Sequence, residues 1–167
     1  MSTFKSFIVN LNRVLRVLLA SMMALLVINV TWQVITRFVL PHPSSFTEEL
    51  ARFLLIWISL LGSAYAFHTH SHLGFDYLVN KMSRSTSILV AKMGYVLVIL
   101  FAISVLVVGG LNLAYITLLL EQRSAVLGLP MGAVYAVTPI SGLLFIVYSI
   151  LGLLELKGSN ELREVAL

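Results

Sequence analysis

The chain has no cysteine among its 167 residues. That excludes disulfides, thiolate-bound metals and thiol redox chemistry, including quinone-linked thiol oxidation. Charge is nearly as scarce: Asp, Glu, Lys and Arg make up 11% of the residues, against about 25% in soluble domains. What is abundant is apolar. With 59% hydrophobic residues and a mean hydropathy of +1.00, the chain holds more apolar surface than a core of this size buries, so the surplus faces lipid. The net charge of +4 and pI near 9.6 make no basic face, because the Lys and Arg residues are spread along the whole chain; no nucleic-acid partner is expected. Those residues read as flanks of membrane spans.

Charge-free windows locate the spans. The hydrocarbon core is about 30 Å thick and a helix rises about 1.5 Å per residue, so about 20 residues are needed to cross. Val17 to Thr36 supplies 20 uncharged residues, Met93 to Leu120 supplies 28 and Ser124 to Leu154 supplies 31. The window from Phe53 to Phe67 has only 15 and must borrow length. It does so on its N-terminal side, where Ser45 through Glu48 reads S-x-x-E, a capping box. The expected fold is an all-α membrane protein forming one domain over residues 1–167, with four transmembrane helices near 16–37, 46–68, 92–119 and 130–155.

Lys5, Arg13, Arg16, Lys81, Arg84, Lys92, Lys157 and Arg163 fall on one side of these spans, and Arg37, Arg52 and Arg123 on the other. Cytoplasmic segments carry the basic excess, so both termini are expected in the cytoplasm. The first span reads as uncleaved, since its apolar run is too long for a signal peptide and no small-residue cleavage pattern follows. Two cytoplasmic stretches are amphipathic at helical spacing. Phe4, Phe7, Ile8, Leu11 and Leu15 oppose Lys5, Arg13 and Arg16; Phe75, Leu78, Val79 and Met82 oppose Asp76, Asn80, Lys81 and Arg84. They predict interfacial helices near 4–14 and 74–84, or helical extensions of the neighbouring spans. Gly74 is a possible break between span two and the second of them. In the last span Pro130 marks the helix start and Pro139 predicts a kink.

The start of span two concentrates what charge there is. Glu48 and Glu49 lie four and three residues before Arg52, the spacings at which helix side chains meet. Arg52 sits more than a turn inside the helix, where a charge calls for a partner, and Arg37 ends span one at a similar level. On the helical wheel Glu48 and Arg52 share a face with Ser59, Gly62, Ser63 and Ala66, small residues that let helix backbones approach closely. That face is expected to pack on protein. The cluster reads either as an outer docking or ion-pair site or as a solvated helix start. Trp57 points elsewhere, toward a second protein surface or lipid.

No Asp, Glu, Lys, Arg or His falls mid-span, where carriers of polar solutes place such groups. Asn29, Thr31, Gln33, Ser104 and Asn112 are the deep polar residues, each readable as an interhelical hydrogen bond. His68, His70 and His72 with Asp76 form a conceivable metal cluster. Imidazoles at a helix C-terminus, favoured by its dipole, are the stronger reading. Paired haem ligands within the membrane are absent.

Arg37-Phe38, Glu48-Glu49-Leu50-Ala51-Arg52, Trp57, Leu61-Gly62, His72 and Asp76, followed by Ser124-Ala125-Val126-Leu127-Gly128-Leu129-Pro130-Met131, Tyr135 and Pro139-Ile140, resemble in order and spacing the small membrane subunit of tripartite ATP-independent periplasmic (TRAP) transporters. The resemblance implies a bacterial inner-membrane protein with no catalytic activity and no cofactor of its own. Its implied partners are membrane lipids, a large elevator-type permease subunit that holds the substrate and sodium sites, and a periplasmic binding protein. The implied cargo is an organic acid such as sialic acid or a C4-dicarboxylate. A self-sufficient homodimeric four-helix transporter is the alternative.

Overall fold

The computed structural model describes residues 2–39, 45–79 and 84–164. Helix α1 runs from Ser2 to Val39 and α2 from Ser45 to Val79. Helix α3, Arg84–Phe101, passes into a π-helical segment, Ala102–Gly109, and then into α4, Gly110–Leu119. After a tight loop come the short α5, Met131–Tyr135, and α6, Val137–Glu164. Four stretches are long and apolar enough to cross a bilayer: Ile8–Val39, Ser45–Thr69, Ile88–Leu119 and Met131–Leu156. The chain is a four-span all-α membrane protein.

Within the described residues the amphipathic stretches are not separate interfacial helices but the alternative, extensions of the neighbouring spans. The amphipathic N-terminal stretch is the beginning of α1 itself, because no Gly or Pro between Ser2 and Val39 interrupts the hydrogen-bond ladder. Likewise α2 continues through Gly74 to Val79, so the separate helix expected from residue 74 is, as far as 79, more of α2. An isolated glycine in a helix is costly but tolerated. Lys81 lies outside the described residues, as do the side chains of Lys5, His72, Asp76 and Arg84.

In the last span the interruption falls at Ala136, between α5 and α6, three residues before Pro139. Pro139 has no N–H for the carbonyl of Tyr135, and its ring crowds that turn, so the break appears one turn upstream and leaves Pro139 in the first turn of α6, where proline is tolerated. Pro130 precedes α5 with φ −66° and ψ 123°, an extended lead-in that fits the helix start expected there.

Packing divides the chain into two units. The first holds α1, α2 as far as Gly62, and Asn112–Val137. Its core centres on Leu26, Ala51 and Leu54, with Met22, Leu50 and Ile58 against them. Asn29 Nδ2 donates to the Thr47 carbonyl at 2.7 Å in this interior, the interhelical bond expected of it. Thr31 and Ser104 instead fold back onto Val27 and Leu100 of their own helices.

The second unit takes Ser63–Leu111 and the chain from Thr138 onward. Phe67 lies edge-on to Tyr95 at 6.0 Å and 5.5 Å from Phe145. His68 stacks on the buried Tyr148 ring at 4.5 Å. A side chain at Gly142 would meet Leu106 and Val107 of the π-helical segment, its Cβ only 2.7 Å from Leu106 Cβ. Glycine here is required for the close approach of α6 to that segment.

Candidate docking site at the start of the second span

Successive residues on a helix diverge by about 100°, and the two glutamates of α2's first turns divide accordingly. Glu48 Oε1 accepts from Arg52 Nη2 at 2.8 Å, in a pair whose side chains are 64% and 68% exposed. Glu49 turns the other way. Its Oε2 accepts the backbone N–H groups of Leu127 at 2.7 Å and Val126 at 3.1 Å. A carboxylate on two converging amides fixes the loop in place, since hydrogen bonds to an ionised acceptor are shorter and stronger than neutral ones.

The loop so held is tightly closed. Ser124 N–H donates to Leu129 O at 2.8 Å, Leu129 N–H donates to Ser124 Oγ at 3.1 Å, and Met131 N–H reaches Gln122 O at 2.9 Å. Arg123 pairs with Pro130 in an antiparallel bridge. Gly128 has φ +65°, the left-handed conformation that glycine adopts without penalty. The Ser124–Met131 stretch of the resemblance is therefore a self-bonded loop on Glu49.

Trp57 has a defined role. Its Nε1 donates to the Val134 carbonyl at 3.1 Å, just ahead of the break at Ala136. Interrupted helices leave carbonyls without intrahelical donors, and the indole supplies one. Nearby, Met22, Phe53, Leu54, Trp57, Leu129 and Ala133 are among the residues lining a cleft of about 270 Å³. Every lining side chain is apolar except Trp57, whose N–H is already used, so the cleft offers nothing to a polar solute.

The buried face of α2 within this unit carries Thr47, Ala51, Leu54 and Leu61. The opposite face carries Glu48, Arg52 and Ser59, all exposed, and further along the same helix Ser63 is exposed while Gly62 and Ala66 are half-buried. Glu48, Arg52 and Ser59 are thus turned away from the core of this unit, while Gly62 and Ala66 are partly covered by the chain itself. Arg37, in the last turn of α1, is exposed and makes no salt bridge among the described residues. Arg13 and Arg16 are exposed, Tyr135 is half-buried and Pro139 is buried. Among the described residues no group of three or more His, Asp or Glu side chains stands in a metal-holding arrangement.

The i,i+3 spacing put Glu49 beside Arg52 as well, but among the described residues Arg52 pairs with Glu48 alone and Glu49 holds the loop amides instead. The signal was present in the polar Ser124 and in Gly128, which mark a tight turn, but spacing along the chain does not say which helix start that turn meets.

Residues 26–157 match the DctQ component of tripartite ATP-independent periplasmic transporters. The chain belongs to this family. DctQ components are parts of a transporter, and the four spans agree with membership. A Haemophilus influenzae protein provisionally named TRAP transporter small permease protein is 29% identical over 134 residues, covering 80% of this chain and 81% of that one. The sialic acid TRAP transporter small permease protein SiaQ of Vibrio cholerae is 35% identical over 72 residues, covering 43% of this chain and 42% of its own. As a DctQ member, the chain is a small TRAP permease subunit and a multi-pass membrane protein.

Proposed function

We propose that this DctQ subunit is a stationary scaffold in a bacterial inner membrane. It anchors the large elevator-type permease subunit and helps dock the periplasmic binding protein, and it catalyses no reaction. Sodium coupling and substrate binding belong to the large subunit. The cargo is an organic acid, sialic acid being the first to test because one relative is named for it, with C4-dicarboxylates next. Both termini lie in the cytoplasm, on the side where the basic residues gather.

The observation that carries the scaffold reading is the division of labour on α2. One face builds the chain's own core, while the other leaves Glu48, Arg52 and Ser59 outward. Small side chains allow close backbone approach in a bilayer, where packing and polar contacts drive helix association. An ion pair inside a helix expected to span gains from a protein neighbour that excludes lipid from it. The polar links within the first unit, Asn29 to Thr47 and Trp57 to Val134, are structural.

The test is co-expression with the large permease subunit, followed by affinity purification and reconstituted uptake. Arg52→Ala is expected to lower co-purification or uptake several-fold, while the isolated binding protein still binds substrate. Normal assembly and normal uptake by that variant would remove Arg52 from the interface. Sodium-driven uptake by this chain alone would overturn the scaffold reading altogether.

A further inference from the structure

Among the described residues Glu121 is the only non-glycine residue with positive φ, at 50°. It sits where α4 ends. Gln122 N–H bonds back to Thr117 O and Glu121 N–H to Leu118 O, each at 3.0 Å. This is a Schellman ending with Glu121 at the left-handed position that glycine usually fills, because a Cβ is penalised there. The same loop does use glycine at its other left-handed position, Gly128. The helix ending needs only the left-handed backbone, which glycine would supply without strain, and the glutamate carboxylate adds no hydrogen bond or ion pair among the described residues. A strained residue kept where glycine would serve is a pointer to function.

We propose that the Glu121–Arg123 turn is a docking contact for the soluble periplasmic binding protein, with Glu121 meeting a cationic side chain of that partner. The inference rests on the transporter reading above and on the expectation, from the distribution of Lys and Arg, that this loop faces the periplasm. Glu121, Gln122 and Arg123 are exposed. With Thr117, Leu118 and Pro130 they line an open recess of about 200 Å³, the size of a side chain's seat. An anion, an amide and a cation on three consecutive residues suit the polar rim of a protein interface, where charge sets orientation and encounter rate. The platform is stiff, because Glu49 holds Val126 and Leu127 while Met131 N–H closes on Gln122 O. A preorganised surface loses little freedom on binding.

Position 121 allows a clean experiment. Glu121→Gly removes the side chain and also relieves the backbone, so it should fold at least as well as the natural chain. Glu121→Gln keeps the strain and removes the charge. Each variant is purified with the large subunit, placed in nanodiscs, and probed with the binding protein of the same system by surface binding, and in proteoliposomes by the half-saturating concentration of binding protein for uptake. Both variants are expected to assemble normally and to need about five-fold or more of the binding protein, with uptake at saturation unchanged and the defect shrinking at high salt. An unchanged half-saturating concentration for Glu121→Gly overturns the proposal. So does loss of assembly in that variant, which would make Glu121 structural. If the unaltered complex captures no binding protein, the tripartite reading falls as well; if it does and only the variants are indifferent, this contact alone is wrong.

Discussion

Glu48 and Glu49 differ by one position and hold different partners, Arg52 and the loop amides. The i,i+4 spacing made the first pair legible from sequence, since it depends on helix geometry alone. The second depends on a loop 77 and 78 residues away, which no local pattern encodes. The difference is testable in amide exchange. Glu49→Gln weakens the acceptor by removing its charge, and exchange at Val126 and Leu127 is expected to accelerate. Glu48→Gln should leave those two amides at the natural rate. Mass spectrometry of the peptide covering residues 124–129 in the assembled complex reads both. Equal exchange in the two variants would mean that the loop is closed by Ser124 and its neighbours without help from α2.

Spans were legible at the scale of elements because length and absence of charge suffice to mark them. Their interruptions were legible only in part. Pro139 announced the break in the last span but not its position, and the π-helical segment at Ala102–Gly109 gave no local warning. Apart from Ser104 it is an apolar run of Ala, Ile, Val and Leu that closes on Gly109 and Gly110, and the neighbour that crowds it, Gly142, lies more than 30 positions on. Trp57 ties the legible break to the rest of the first unit. With Pro139→Ala the chain regains an N–H for the Tyr135 carbonyl, and α5 and α6 are expected to merge. Val134 O would then accept from Thr138 in the ordinary helical ladder and cease to need the indole. The single hydrogen bond lost by Trp57 is worth about 1 kcal/mol. In a Trp32→Phe background, where Trp57 is the remaining tryptophan, the Pro139→Ala variant should show a shifted emission maximum and faster quenching by a lipid-soluble quencher. Unaltered fluorescence would show that the break persists without the proline.

Across the whole molecule the spans are unequally covered by their own chain. The most apolar windows of spans one and three are 11% and 17% buried, against 28% and 33% for spans two and four. Lipid or another subunit must supply the remainder. Which side that partnership faces depends on orientation, and orientation rests on the distribution of Lys and Arg. The missing cysteines that limited the chemistry make orientation simple to measure. Val126→Cys marks the loop held by Glu49, and Ser6→Cys marks the exposed start of α1, each as the sole thiol in the chain. With both termini in the cytoplasm, a membrane-impermeant maleimide should label Val126→Cys in intact spheroplasts and Ser6→Cys only after permeabilisation. The reverse pattern would place Glu48, Arg52 and the Glu121 turn in the cytoplasm, where a periplasmic binding protein cannot reach them. One labelling experiment therefore tests the charge rule and the docking geometry together, because both require the loop between spans three and four to face outward.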